Sequence, residues 1–307
     1  MGENWTSKNI PDLSGKTVII TGANSGIGYE SAREFIRNGA EVIIASRDPI
    51  KADRAMLRIE EEFPGAKLKF IELNLASLES IRKFAGEFKS NYDRLDVLLN
   101  NAGIMMVPYR ETENGFEYTM GTNHLGHFAL TGLLMDKLST TPGARVVTVA
   151  SNAHYTGEMD FNNLLFENGH EYTPMKAYSR SKLANLLFTY EIQRRFQSRD
   201  HGVIALAAHP GIAATSLANH LFFNKISWLI QPAMKLIFQS SAMGALPSLR
   251  AAVDPEARGG MYYGPGGKGE KSGYPIVVDS NSASKDEKDA LRLWERSEEL
   301  TGIRYLD

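Results

Sequence analysis

The stretch KTVIITGANSGIG, residues 16–28, decides the fold. It passes from a β-branched apolar run, Thr17-Val18-Ile19-Ile20-Thr21, straight into Gly22-Ala23-Asn24-Ser25-Gly26-Ile27-Gly28 and then into a helical pattern. Branched side chains favour a pleated strand, and a strand that is apolar on both faces belongs in a sheet covered on both sides. Glycines spaced G-x-x-x-G-x-G let the backbone turn sharply and approach a phosphate, which the N–H groups and positive dipole end of the following helix then receive. Gly22, Asn24, Ser25, Gly26, Ile27 and Gly28 are therefore a candidate phosphate-binding turn, the competing reading being a strand-to-helix turn that binds nothing.

Further apolar β-rich runs at residues 41–45, 68–73, 97–100, 144–150 and 203–208 alternate with longer helical patterns. That rhythm predicts β-α-β units, hence an α/β fold: one doubly wound parallel sheet of the Rossmann type, with residues 1–307 as a single domain. Ligands of such sheets lie outside the carboxyl ends of the strands, so the residues that follow each run carry the information. After the second run an NAD site commonly has a carboxylate for the ribose hydroxyls, whereas this chain has Ser46-Arg47. A guanidinium fork and a hydroxyl suit a 2′-phosphate, and the cofactor expected is NADP(H). Pairing of Arg47 with Asp48 is the bland alternative.

A formal charge of −2 over 307 residues, with acids and bases evenly mixed, gives no reason to expect nucleic acid or an anionic membrane as partner. The absence of cysteine excludes disulfides, thiolate metal sites and a cysteine nucleophile, and fits a reducing cytosol. The amino-terminal MGENWTSKNIPDLSGKT has no basic region followed by an apolar core, so no secretory signal and a cytoplasmic location are expected. The longest apolar region, residues 221–238, is broken by Asn224, Lys225, Gln231, Pro232 and Lys235 and falls short of the ~20 residues of a spanning helix.

Clear alternation is lost across residues 213–258, where Phe222, Ile226, Leu229, Ala233 and Ile237 recur at helical spacing. This predicts a helical insertion over the substrate site, with core packing and peripheral membrane contact as the other readings. Beyond it, GGMYYGPGGKGEKSGYP is dense in glycine and predicts irregular surface structure, followed by a charged terminal helix over residues 285–300.

Tyr178-Ser-Arg-Ser-Lys182 places a phenol and an ammonium four residues apart, on one face of a helix. A cation beside a phenol favours the phenolate and lowers its pKa from roughly 10, which makes the pair a candidate proton-transfer device. His124 and His127 have a spacing that can ligate metal from one helical turn, but no thiolate or obvious third ligand accompanies them. Packing histidines, and no metal, are expected.

With the glycine turn, Asn100-Asn101-Ala102-Gly103, Ser151, Tyr178 with Lys182, and His209-Pro210-Gly211 each following its run in order, the chain resembles the short-chain dehydrogenases/reductases from about residue 16 to residue 304. TNHLGHF at 122–128 and LWERSEELTG at 293–302 are similar to the branch containing the retinol dehydrogenases and the WW-domain oxidoreductase. The resemblance implies a tetrad of Asn123, Ser151, Tyr178 and Lys182. In it Tyr178 exchanges a proton with the substrate oxygen, Ser151 hydrogen-bonds that oxygen, Lys182 lowers the tyrosine pKa and holds the nicotinamide ribose, and Asn123 fixes a water that relays protons to Lys182.

The same resemblance places Asn101, Ala102 and Gly103 on the adenosine side and Pro210, Gly211 and Ile212 on the nicotinamide side. Asn74-Leu75 stand where the family often has Asp-Leu near the adenine, and an amide still hydrogen-bonds there. Light-dependent protochlorophyllide reductase is similar in motifs but uses an active-site cysteine, and membrane-bound retinol dehydrogenases typically carry an apolar amino-terminal anchor. Family members often pair through the tyrosine-bearing helix, which leaves a homo-oligomer open beside core packing. The expected function is an NADP(H)-dependent oxidoreductase interconverting a carbonyl and an alcohol on a small molecule, an apolar aldehyde or ketone. The alternative is a cofactor-binding regulator or scaffold with little turnover, since fold alone does not establish function.

Overall fold

In the computed structural model, which describes residues 4–199, 202–212 and 239–306, the strands are β1 (Thr17–Thr21), β2 (Glu41–Ser46), β3 (Leu68–Glu72), β4 (Val97–Asn100), β5 (Arg145–Val149), β6 (Ile204–Ala208), β7 (Tyr262–Pro265) and β8 (Pro275–Val278). They form one sheet in the order β3-β2-β1-β4-β5-β6-β7-β8, parallel except for the antiparallel β7/β8 pair. Each of the expected apolar runs is a strand. The glycine-dense segment is a correction, because it contributes β7 and the first residue of β8 rather than irregular surface alone. Tyr262 and Tyr263 are good strand formers and are buried, but β7 is four residues long and ends in Gly264-Pro265, which conceals it among turn residues.

The helices are α1 (Gly26–Arg37), α2 (Pro49–Glu62), α3 (Leu78–Asn91), α4 (Tyr118–Met120), α5 (Gly126–Leu133), α6 (Met135–Ser139), α7 (Pro174–Arg199), α8 (Ser241–Val253) and α9 (Glu287–Thr301), with a π-helical turn over Gly121–Leu125 between α4 and α5. Successive strand residues point to opposite faces, so each central strand feeds two cores. Ile19, Ile43, Leu98 and Val146 pack with Phe84 and Phe88 of α3, Phe128 of α5, Phe188 of α7 and Trp294 of α9. Val18, Ile20, Val42, Ile44, Leu99 and Val147 pack on the other face with Phe35 and Ile36 of α1, Ile59 of α2 and Leu246 and Leu249 of α8. This two-sided burial is why TVIIT carries no polar side chain between its threonines.

The carboxyl-terminal part of the expected 213–258 insertion is framework: α8 buries Ala245, Leu246, Leu249, Ala251 and Val253 against α1 and the sheet. Residues 213–238, including Phe222, Ile226, Leu229, Ala233 and Ile237, lie outside the described residues. Among the described residues no helix is long and apolar enough to cross a membrane. The strand order reverses between β1 and β4, so the chain leaves their carboxyl ends in opposite directions and opens a crevice there.

Phe128 stands at the centre of an aromatic cluster, with ring centroids 5.8 Å from Phe188, 5.0 Å from Trp294 and 4.9 Å from Tyr305. The terminal helix is thereby anchored to the core. Phe128→Ala is expected to lower the unfolding free energy by about 3–5 kcal/mol in urea titrations, the usual cost of emptying a fully buried phenylalanine site. A loss below about 1 kcal/mol would show that the cluster collapses to fill the space.

Candidate active site

A cleft of about 500 Å³ opens at the carboxyl ends of β1 to β6. Gly22, Asn24, Ser25, Gly26, Ile27 and Gly28 form its floor on the β1 side. Gly22 and Gly26 have φ of 70° and 56°, the left-handed region that glycine alone enters without strain. Gly28 is needed for a close approach: a Cβ there would stand 2.4 Å from the Gly22 carbonyl oxygen and 2.6 Å from Asn101 Nδ2. Ser25 precedes α1 but makes no side-chain capping bond, so the first N–H groups of the helix are left to face the cleft.

Thr21 joins this turn to its neighbours. Its Oγ1 accepts from the N–H groups of Asn101 and Ala102, each at 2.9 Å, and its carbonyl accepts from Asn101 Nδ2 at 2.8 Å. His127 Nδ1 lies 3.0 Å from the Asn123 carbonyl, which can only accept, so the proton sits on Nδ1. Nε2 then accepts the Thr21 hydroxyl at 2.9 Å. His124 Nε2 pairs with Ser297 Oγ at 2.9 Å. Both rings are thus engaged by ordinary hydrogen-bond partners.

At the end of β2, Arg47 lines the cleft and its Nη1 donates to the Tyr118 hydroxyl at 2.8 Å, while the Tyr118 ring lies under the Arg110 guanidinium. Asp48 instead caps α2 and pairs with Lys51 at 3.1 Å. Ser46 Oγ is buried and meets no protein partner among the described residues. Asn74 and Leu75 line the cleft after β3, the Asn74 side chain accepting from Ala76 N–H at 3.1 Å. Asn101, Ala102 and Gly103 line it after β4, and Pro210, Gly211 and Ile212 after β6.

Tyr178 and Lys182 face the cleft from α7, with Nζ 5.8 Å from the phenol ring centroid. Ser151, at the end of β5, accepts from Ala153 N–H at 3.2 Å and is hydrogen-bonded to Tyr178 through its side chain. Lys182 is almost fully buried, donates to the Val149 carbonyl at 2.9 Å, and is brought down to about 8 by desolvation. Burial pushes the Tyr178 phenol up, against the lowering effect of the Ser151 hydrogen bond. Here the expectation from spacing is corrected: the ammonium is turned to a backbone carbonyl, and desolvation rather than Lys182 sets the direction of the tyrosine shift.

Asn123 stands behind the wall rather than on it. Its Oδ1 accepts from Ile104 N–H at 2.8 Å, and its Nδ2 donates to the Ile104 carbonyl at 2.9 Å and to Ser181 Oγ at 3.0 Å. It lies close to the ammonium all the same, since a Cβ on Gly103 would be 3.4 Å from Asn123 Oδ1 and 3.5 Å from Lys182 Nζ. Tyr118, Lys51, Asp48, Ile104, Met105 and Thr122 also line the cleft and were not anticipated. Lys51 was signalled by its place one turn beyond Arg47; Tyr118 arrives from a distant loop and carried no sequence signal.

The profile of the short chain dehydrogenase family matches residues 16–225. The chain is 40% identical over 296 residues to retinol dehydrogenase 12 of Mus musculus, covering 95% of this chain and 88% of that protein. It is 40% identical over 302 residues to polyprenol dehydrogenase of Homo sapiens, covering 95% and 87%. The crystal structure of an uncharacterised protein from Mycobacterium paratuberculosis superposes with a TM-score of 0.81 at 39% identity, covering 99% of each chain.

Burial, reinforced by neighbouring His127, holds His124 down to about 3, below the ordinary value of 6.5. The native state therefore stays unprotonated there while the unfolded chain takes up a proton as pH falls below 6.5, so the stability contributed by the neutral ring is lost on acidification towards pH 3. Between pH 7 and pH 5 the parent is expected to lose about 2 kcal/mol more than His124→Gln in urea unfolding. Equal losses would contradict the buried neutral ring.

Proposed function

The chain belongs to the short chain dehydrogenase family, and on that footing we propose an NADP(H)-dependent oxidoreductase that interconverts a carbonyl and an alcohol on an apolar aldehyde or ketone. Oxidoreduction between CH–OH and C=O follows from the family. The observation that carries the finer reading is the convergence of Ser151, Tyr178 and Lys182 at one end of a cleft whose other end presents Ser46 and Arg47.

The residues present fit a dinucleotide phosphate. The uncapped start of α1 and the close-approach glycines suit the pyrophosphate, and Arg47 with the Ser46 hydroxyl, which meets no partner among the described residues, suits a 2′-phosphate. Asn74, Leu75, Asn101, Ala102 and Gly103 would flank the adenosine half, and Lys182, Tyr178, Pro210, Gly211 and Ile212 the nicotinamide half. When bound, NADPH supplies a hydride for the carbonyl carbon.

Tyr178 would donate its proton to the carbonyl oxygen, and its upward-shifted phenol keeps that proton at neutral pH. Ser151 accepts from Ala153 N–H and so keeps its own hydrogen available to stabilise the charge forming on the same oxygen. Lys182, mostly cationic at pH 7, favours that charge through space and holds the wall through Val149. Asn123 pins the Ile104 backbone and so sets the wall beside the ammonium. Ile104, Met105 and Ile212 give the cleft apolar side chains suited to an apolar substrate, a reading that agrees with the names of the retinol and polyprenol relatives.

Loss of NADPH absorbance with a series of apolar aldehydes tests the proposal. Tyr178→Phe is expected to lower kcat by about 10²–10⁴ with NADPH affinity near the parental value; near-parental turnover would remove Tyr178 as the acid. Arg47→Asp is expected to weaken NADPH binding about tenfold or more and to reverse the preference over NADH, measured by calorimetry. Equal affinity of the parent for both cofactors would overturn the assignment of Arg47.

A further inference from the structure

Beyond β7 the chain reads Gly266-Gly267-Lys268-Gly269-Glu270-Lys271-Ser272-Gly273, a composition suited to free surface. Glu270 nevertheless has φ 54°, next to Gly269 at 63°. A residue with a Cβ is strained in that region, and it persists there only where its surroundings hold it. The hold comes from the interior: Glu270 Oε2 is 2.9 Å from Nε2 of His209, whose side chain is completely buried. Nδ1 of the same ring accepts the Gly211 N–H at 3.2 Å, so the proton sits on Nε2 and is donated to the carboxylate. Gly264 makes room for this ring, since a Cβ there would lie 2.1 Å from Nε2.

The next residue completes the grip. The Lys271 carbonyl accepts the Ile212 N–H at 2.8 Å and occupies the space where a Gly211 Cβ would come within 2.5 Å. Gln239 closes the remaining side, its amide donating to the Pro210 carbonyl and its Oε1 accepting the Gly273 N–H at 3.2 Å. Every residue of the wall formed by Pro210, Gly211 and Ile212 is thus tied directly or through His209 to the glycine-rich loop or to Gln239. Nothing in the chemistry proposed above uses this carboxylate.

We propose that Glu270 is a positioning residue for the nicotinamide-side wall of the cleft, acting through His209 on the backbone of Gly211. The inference rests on the dinucleotide reading of the cleft. A carboxylate accepting from Nε2 fixes the ring tautomer, the tautomer makes Nδ1 an acceptor, and that acceptor holds the turn against which the reacting end of the cofactor would lie. Among the described residues this loop makes no hydrogen bond to the adenosine end, built from β1 to β4.

The test titrates full-length parent, Glu270→Ala and Glu270→Gln with NADPH and with adenosine 2′,5′-bisphosphate, which lacks the nicotinamide half, and compares kcat and KM on an aldehyde that the parent reduces. Glu270→Ala is expected to bind the bisphosphate within about twofold of the parent but NADPH about tenfold more weakly, with kcat reduced about tenfold. Glu270→Gln, whose amide oxygen still accepts from Nε2–H, is expected to remain within about threefold in every measurement. Parental behaviour of Glu270→Ala, or a parallel loss of both ligands with a lower melting temperature, would overturn the inference. So would a Glu270→Ala chain that fails to fold, or a Glu270→Gln chain as impaired as Glu270→Ala. A parent that binds neither ligand would refute the dinucleotide reading itself, and the inference with it.

Discussion

The hydroxyl of Thr21 is the contact on which the geometry of the cleft depends. Between β1 and β4 the parallel ladder holds the strands in register, but past their carboxyl ends the backbone groups lose these partners. Thr21 continues the attachment by accepting the N–H groups of Asn101 and Ala102, so the loop after β4 stays against the glycine turn. Through His127 the same hydroxyl reaches the Asn123 carbonyl in the π-helical turn. Asn123 in turn holds both backbone groups of Ile104. The glycine turn, the loop after β4 and the π-helical turn are therefore one hydrogen-bonded unit rather than separate motifs, and burial keeps the linking ring neutral at pH 7 by holding His127 down to about 4.

Within that unit the reactive groups are placed where charge is costly. Lys182 is brought down by desolvation and answered by a carbonyl, a partner that favours its charged form without neutralising it. The Tyr178 phenol is raised by the same desolvation. These opposite displacements drive apart two groups whose ordinary values, 10.0 and 10.5, nearly coincide, so the phenol holds its proton more firmly than the ammonium beside it. Spacing on a helix shows that two side chains share a face; it does not show which way the longer one turns, and here the Val149 carbonyl decides.

Much of the architecture was legible because its causes are local. TVIIT and VVTVA are apolar on both faces since both faces are covered, and the residues after each strand could be read as site residues because a parallel sheet places them together. What escaped was set by distant contacts. Tyr118 reaches Arg47 from across the cleft, and Tyr262 and Tyr263 form a strand only because β6 offers an edge beside them. α8 was grouped with an insertion because its sequence, SAMGALPSLRAAV, has neither a polar face nor an uninterrupted helical pattern. Helices covered on several sides lose the amphipathic signal by which they are recognised.

The order of strands explains why the late chain should complete the site. A doubly wound sheet grows outward from β1, and β5, β6 and β7 are neighbours whose carboxyl ends lie side by side. The segments that follow them carry Ser151, His209 and Glu270 respectively, and they meet directly: Asn152 Nδ2 reaches the Gly269 carbonyl at 3.5 Å, and His209 meets Glu270. Close packing shows at two glycines outside the last segment, since side chains at Gly211 and Gly264 would strike the Lys271 carbonyl and the His209 ring, while Gly267 meets Ser272 of its own loop. A composition that resembles unstructured surface here belongs to a loop that is fastened to the wall after β6 through Glu270, Lys271 and Gly273.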